Sequence, residues 1–319
     1  MPIKVIITKD FDHMSEIAAK IVKDDIIKTL QKRKEYILGL ATGNSPTGLY
    51  KHLARMTNNG EFKSNNIRSF NLDEYVGLPG ENAQQRTVHP ESYCYFMIKE
   101  LFSLLKNKFI ETALPYGSLI DQKKLVEELK ANPSDWKELG TDAGKSISIK
   151  DKPKSEYLAW IRKEILEGYA KKIEKAGGID LQIIGVGGRG HVAFHESGIP
   201  FEGSKVMLIK LDNNTVKNAV IDGHFSSEKD SPNYAISMGA ELVYKAKTVL
   251  LLANGERKTK SVGQSLLEDP TPDIPISYGQ ISAKNGVNLI YVLDKIAGKN
   301  LLDNINLLKS KGIDVNNLA

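Results

Sequence analysis

The amino-acid sequence predicts an α/β fold built on a doubly wound, mainly parallel sheet with helices on both faces. Seven short apolar runs are continuous rather than alternating, which is typical of strands covered on both faces. Segments with helical periodicity lie between many of these runs. At 319 residues, 41% of them hydrophobic, the chain can bury a substantial core.

The predicted elements alternate along the chain. Strands are expected at 3–7, 36–41, 67–72, 181–186, 206–211, 248–253 and 287–293. Helices are expected at 13–33, 46–57, 90–106 and 255–268. Residues 117–179 contain polar, charge-rich helical segments around a Gly/Ser/Lys/Pro-rich stretch at 140–154, and we interpret them as an elaboration between core strands. We expect residues 1–319 to form a single α/β domain.

Composition argues against several classes of function. The net charge of +5 comes from lysines spread among 39 acidic residues rather than from a basic block, so nucleic-acid binding has little support. No apolar run approaches the ~20 residues that span a bilayer, so we expect no membrane insertion. The N-terminal apolar stretch is too short for a signal peptide, and Cys94 is the single cysteine, so the cytoplasm is the expected location.

Four polar turns follow predicted strands, and they are the places to search for chemistry. Ligands of parallel sheets gather where the strands end. The turns lie at 42–48, 73–75, 185–196 and 254–258.

The first turn, TGNSPTG, has the composition of an anion site. Thr42, Gly43, Asn44 and Ser45 offer hydroxyls and backbone amides ahead of a helix, although a simple capped turn would have the same composition. No lysine follows Gly48, so this is not a Walker loop. Lys258, in the NGERK turn, could complete the site or could merely begin a surface helix.

The second turn places two acids after a strand. Asp73 is a candidate general base, since burial would raise its pKa towards neutrality. The alternative is that Asp73 caps a helix and that Glu74 is a solvated neighbour.

The third turn, GVGGRG at 185–190, fits the Gly-x-Gly-x-x-Gly pattern of dinucleotide-binding turns, and Asp212 imitates the acid of that fingerprint. The pattern alone is weak, because any tight turn favours glycine. His191 and Glu196 follow it, and such a pair suits proton shuttling, although a lone histidine is more often a capping or core residue. We expect His195 to face solvent.

Taken together, the motifs resemble one family. ILGLATGNSPTGLYKHL, SFNLDEYVGLP, HPESYCYFM, GVGGRGHVAFHE and NGERK, in this order, resemble the glucosamine-6-phosphate deaminase family over residues 36–106 and 181–268. NLDEYVGLP followed by HPESY is specific to the deaminase branch, whereas the glycine turn is shared with 6-phosphogluconolactonases. The resemblance implies that the glycines present His191 to a sugar phosphate and that no nicotinamide is bound.

The resemblance also implies a reaction and its residues. It implies isomerisation of glucosamine 6-phosphate to fructose 6-phosphate with loss of ammonia, without cofactor or metal. Asp73 would move the proton from C2 to C1, while His191 and Glu196 would assist ring opening. Homo-oligomers are compatible with it, because hexamers and monomers both occur in the family.

Two positions depart from the family pattern. Arg189 stands where the family has an aspartate in a relay with the histidine and glutamate, and Val220 stands where a phosphate-binding arginine is expected. We therefore predict that Arg189 contacts the substrate phosphate, and the competing interpretation is that Arg189 tunes proton transfer by His191. The alternatives are a galactosamine 6-phosphate enzyme, a 6-phosphogluconolactonase, or a sugar-phosphate sensor without turnover.

Overall fold

The computed structural model describes residues 3–187, 189–221 and 223–319, so Gly188 of the glycine turn lies outside the described residues. The strands are β1 (Ile3–Thr8), β2 (Tyr36–Leu40), β3 (Ile67–Asn71), β4 (Asp73–Val76), β5 (Glu111–Ala113), β6 (Trp136–Leu139), β7 (Lys145–Ile149), β8 (Leu181–Ile184), β9 (Val206–Lys210), β10 (Tyr234–Met238), β11 (Thr248–Ala253), β12 (Asn288–Asp294) and β13 (Asp314–Asn317).

The helices differ widely in length. They are α1 (Phe11–Leu30), α2 (Thr47–Asn58), α3 (Ala83–Thr87), α4 (Tyr93–Glu100), α5 (Gln122–Ala131), α6 (Glu156–Trp160), α7 (Glu167–Lys175), α8 (Asn213–Ile221), α9 (Ala240–Val243), α10 (Glu256–Leu267), α11 (Tyr278–Lys284), α12 (Lys299–Asp303) and α13 (Ile305–Ser310). A π-helical segment joins α6 to α7. None of the described helices is long and apolar enough to cross a membrane.

The predicted α/β class with a mainly parallel sheet is confirmed. Eight strands form one sheet in the order β13-β1-β12-β11-β8-β2-β3-β5, and every neighbouring pair is parallel. All residues of β2 and β11 are buried, as their continuous apolar sequences require.

A second, antiparallel sheet was not predicted. Its order is β4-β10-β9-β7-β6, so the run at 206–211 forms β9 here rather than a strand of the parallel sheet. Leu208 packs into one apolar cluster, while Met207 and Ile209 pack into another. Burial on both faces makes the run continuous in an antiparallel sheet too, and this explains the error.

The elaboration at 117–179 also differs from the prediction. Besides helices, it contains the hairpin of β6 and β7, which extends the second sheet. The predicted helix at 90–106 is shorter, since α4 ends at Glu100. That residues 1–319 form one domain remains a prediction.

The strand order brings the four polar turns together. β11, β8, β2 and β3 are consecutive in the parallel sheet, so their carboxyl ends lie side by side on one edge. A site assembled from these turns is the arrangement expected for a parallel sheet.

Candidate active site

Three of the predicted turns line one cavity of about 660 Å³ together with residues of the segment 73–75, which forms the start of β4 rather than a turn. Its lining includes Asp73, His191, Lys258 and the turn 42–45, whereas Glu196 and Arg189 are not part of it. A larger cavity of about 1050 Å³ lies beside β7, β9 and α7, but none of the predicted site residues lines it. Chemistry rather than volume therefore identifies the candidate active site.

The turn after β2 is fixed in position by hydrogen bonds to neighbouring residues. The Tyr50 hydroxyl donates to the Ala41 carbonyl (2.5 Å) and accepts from the Ala41 amide (3.0 Å), which fixes the end of the strand. Ser45 Oγ donates to Asn254 Oδ1 at 2.7 Å and so ties this turn to the one that carries Lys258. Gly43 has a φ of 97°, a conformation that L side chains rarely adopt.

Asp73 begins β4 and is 5% exposed. Its buried Oδ1 has no hydrogen-bond partner among the described residues. Burial raises the pKa of Asp73 well above its ordinary value, and the neighbouring Glu74 carboxylate adds to the rise. A buried carboxylate that lines a cavity and has a raised pKa is suited to take up a proton.

Glu74 has the structural role. It accepts hydrogen bonds from the amides of Tyr75 (2.9 Å), Tyr93 (3.0 Å) and Cys94 (3.0 Å), and so it satisfies the first amides of α4. Burial raises the pKa of Glu74 and these hydrogen bonds lower it, and burial dominates, so the pKa is raised to about 7. The alternative in which Asp73 caps a helix and Glu74 is solvated is therefore wrong.

The glycine turn allows His191 to lie over the backbone. A Cβ at Gly187 would overlap the His191 ring, so only glycine fits there. Gly190 donates its amide to the Gly187 carbonyl at 2.9 Å and has a φ of 80°. Two residues beyond His191, Ala193 has a φ of 52°, a strained conformation for alanine.

Glu196 lies behind His191, with His191 Nδ1 at 3.5 Å from Glu196 Oε2. The carboxylate is 4% exposed and accepts from Thr215 Oγ1 at 2.7 Å. Burial raises its pKa, but the hydrogen bond and charge of His191, together with the Thr215 hydroxyl, outweigh burial, so the pKa is lowered overall. An ionised Glu196 can orient the His191 ring.

His195 does not face solvent, and that expectation is wrong. It is fully buried, its Nδ1 accepts from the Ala240 amide at 3.0 Å, and its Nε2 lies 3.0 Å from the Ile199 carbonyl. Burial lowers the pKa of His195 to about 4. The imidazole is a neutral structural group that anchors the turn to the first residue of α9.

Arg189 points to carboxylates. Its guanidinium is paired with Asp142 on the β6–β7 hairpin and with Asp212 (3.0 Å) ahead of α8. The contact between Arg189 and a substrate phosphate remains a prediction, and neither of these ion pairs supports it. Val220, where the family's arginine is expected, packs against an apolar cluster that contains Phe225.

Several residues that line the cavity were not predicted. The rings of Tyr93 and Phe194 are stacked with centroids 5.8 Å apart, and Thr215, Asn218 and His224 come from α8 and the loop after it. Tyr93 and Phe194 occur within the quoted HPESYCYFM and GHVAFHE motifs, so they could have been singled out. The other three lie in a segment without a recognisable motif.

Comparison with known proteins identifies the family of the chain. A glucosamine-6-phosphate deaminase of Clostridium acetobutylicum is 31% identical over 300 residues, covering 93% of this chain and 100% of the relative. One from Lysinibacillus sphaericus is 33% identical over 88% of this chain and 95% of the relative. No family model matches the chain.

Solved structures agree on the fold. A monomeric glucosamine-6-phosphate deaminase superposes with a TM-score of 0.69 at 24% identity, covering 93% of this chain and 99% of the other. A 6-phosphogluconolactonase from Trypanosoma cruzi gives a TM-score of 0.59 at 18% identity, covering 93% and 96%. The structures show a shared fold, and the sequence relatives show the family: this chain belongs to the glucosamine-6-phosphate deaminase family.

Proposed function

We propose that the protein converts glucosamine 6-phosphate and water to fructose 6-phosphate and ammonia. The observation that carries the proposal is the buried carboxylate of Asp73, whose Oδ1 has no hydrogen-bond partner among the described residues and which lines the same cavity as His191 and Lys258. The sequence relatives named glucosamine-6-phosphate deaminase support the same substrate.

Asp73 is the proposed base. Removing the C2 proton of the open-chain aldehyde and returning it to C1, while one proton passes from the amine to the C1 oxygen, gives an imine at C2 and a hydroxymethyl group at C1, and water hydrolyses the imine to the ketone with release of ammonia. A carboxylate whose pKa is raised by burial is a stronger base than a solvated one. Asp73 also lines the cavity, where it could move the proton from C2 to C1.

His191 and Glu196 are the proposed ring-opening pair. Opening the cyclic sugar requires one proton to leave the anomeric hydroxyl and one to reach the ring oxygen. An imidazole that is a quarter exposed at the cavity and backed by a carboxylate 3.5 Å away can exchange both.

The phosphate is proposed to bind where the first and fourth turns meet. Ser45 and Asn254 join these turns, and Lys258 and Arg257 line the cavity beside them. Backbone amides of residues 43–45 ahead of α2 and the Lys258 ammonium would neutralise the dianion.

A substrate panel tests the proposal. Ammonia release is measured with glucosamine 6-phosphate and with its C4 epimer galactosamine 6-phosphate, and lactone hydrolysis is measured with 6-phosphogluconolactone. We expect ammonia from glucosamine 6-phosphate at the highest kcat/KM. Ammonia release from galactosamine 6-phosphate alone would show that the epimer is the substrate. Lactone hydrolysis would show that the protein is a lactonase, and binding of the sugar phosphates without turnover would indicate a sensor.

A further inference from the structure

The tip of the β6–β7 hairpin packs directly on the turn that carries the proposed acid–base pair. A Cβ at Gly144 would lie only 2.6 Å from the Cβ of Glu196, so the hairpin backbone covers the Glu196 side chain. The Thr141 amide donates to the Gly198 carbonyl at 3.1 Å. The elaboration therefore contributes to the burial of Glu196.

Arg189 joins three segments at this point. Its guanidinium is paired with Asp142 at the hairpin tip and with Asp212 ahead of α8. Asp212 Oδ1 accepts from the Asn214 amide at 2.6 Å in the first turn of α8, and that helix also supplies the Thr215 hydroxyl that binds Glu196. The Arg189 side chain thus links the hairpin, the glycine turn and α8, which contributes to the cavity.

The link made by Arg189 affects the electrostatic surroundings of Glu196. The ionisable side chains near it on the elements packed against it include Asp142 and Lys145 of the hairpin, Arg189, His191 and His195 of the glycine turn and the residues after it, and Asp212. Asp212 is buried, so the guanidinium offsets a carboxylate that would otherwise repel ionised Glu196.

We propose that the Arg189–Asp142 ion pair is a latch that holds the hairpin tip over Glu196 and fixes its carboxylate against His191. Arg189 and Asp142 are positioning residues in this account, which rests on the proposed roles of His191 and Glu196. The latch gives a structural reason for an arginine in the glycine turn, and it replaces the predicted contact between Arg189 and the substrate phosphate.

Three variants and a matched control test the latch. Asp142→Asn keeps the side-chain oxygen that accepts from the Ala143 amide and removes the charge and the Oδ2 acceptor that faces Arg189. We expect kcat to fall about three- to tenfold, with the KM for glucosamine 6-phosphate changed less than about twofold. Asp151→Asn breaks an arginine ion pair elsewhere in the elaboration and should leave kcat unchanged.

Arg189 variants separate positioning from phosphate binding. Arg189→Met should lower kcat at least as much as Asp142→Asn and move the acid limb of the pH profile to higher pH, because a cation near Glu196 is lost. Adding Asp142→Asn to Arg189→Met should cause little further loss of kcat, since both substitutions remove the same Arg189–Asp142 ion pair. A raised KM with unchanged kcat in Arg189→Met, or unaltered kinetics in Asp142→Asn, would overturn the latch.

Amide hydrogen exchange provides a readout that does not need activity. Exchange across 138–146 should quicken in Asp142→Asn and Arg189→Met but not in Asp151→Asn. If wild-type protein releases no ammonia from glucosamine 6-phosphate, the proposed function fails, while quicker exchange still supports the latch. Unchanged exchange in both latch variants would overturn the latch whatever the kinetics.

Discussion

Replacing Asp73 with asparagine should abolish turnover and at the same time stabilise the protein at neutral pH. The substitution keeps the size of the side chain and removes the proposed base. General acid–base groups contribute about 10²- to 10⁴-fold in rate, so kcat should fall by that factor. Binding of glucosamine 6-phosphate should persist, because the proposed phosphate contacts are made by other residues.

The gain in stability follows from the burial of Asp73. Its pKa is higher in the folded protein than in the unfolded chain, so the unfolded state loses its proton first as pH rises. Ionisation therefore lowers the free energy of unfolding above about pH 4, by about 1.4 kcal/mol for each unit between the two pKa values. Asparagine has no charge and avoids this cost.

Kinetics and urea unfolding measure both effects. We expect the Asp73→Asn variant to exceed the wild-type free energy of unfolding at pH 8, and the difference should vanish towards pH 3. The acid limb of the wild-type kcat/KM profile should lie above the ordinary aspartate range. Wild-type kcat in the variant would remove Asp73 from the mechanism, and an equal difference in stability at both pH values would refute the burial argument.

Three further variants test other contacts. Lys258→Ala should raise the KM for glucosamine 6-phosphate about 10- to 100-fold, with little effect on binding of glucosamine itself, since a charge-assisted bond contributes about 1.5–3 kcal/mol. Glu74→Gln should lower the free energy of unfolding in urea by about 1–3 kcal/mol near pH 4, because amides at the start of α4 lose an acceptor. The loss should shrink towards pH 8, where ionisation of the buried Glu74, with its pKa raised to about 7, costs stability in the wild type. Glu196→Gln should make the free energy of unfolding less sensitive to acid. The pKa of Glu196 is lowered in the folded protein, so its ionised form stabilises the fold above the ordinary value of 4.5, and this stabilisation is lost as pH falls.

The parallel sheet was predictable because its strands have a simple signature. β2 and β11 are buried along their whole length, and such strands require continuous apolar sequence. β9 has the same signature for another reason, since it is buried between two apolar clusters in an antiparallel sheet. Local sequence carries no information on which sheet a doubly buried strand joins.

The candidate site was predictable where its residues follow strands in sequence. Asp73, His191 and Lys258 meet in one cavity because four consecutive parallel strands end beside one another. The approach of Asp142 to Arg189 was not predictable, since 47 residues separate them and only the tertiary fold joins the hairpin to the turn. The burial of His195 likewise depends on the distant Ala240 amide.

The fate of the C1 carbon tests the central claim most directly. Glucosamine 6-phosphate labelled with ¹³C at C1 is incubated with the wild-type protein and followed by NMR, with ammonium measured in the same sample. The account predicts that the label moves from an anomeric carbon to the hydroxymethyl carbon of fructose 6-phosphate, with an equal amount of ammonium, and that Asp73→Asn leaves it anomeric. A label that stays anomeric with wild-type protein, or moves equally fast with Asp73→Asn, would contradict the account.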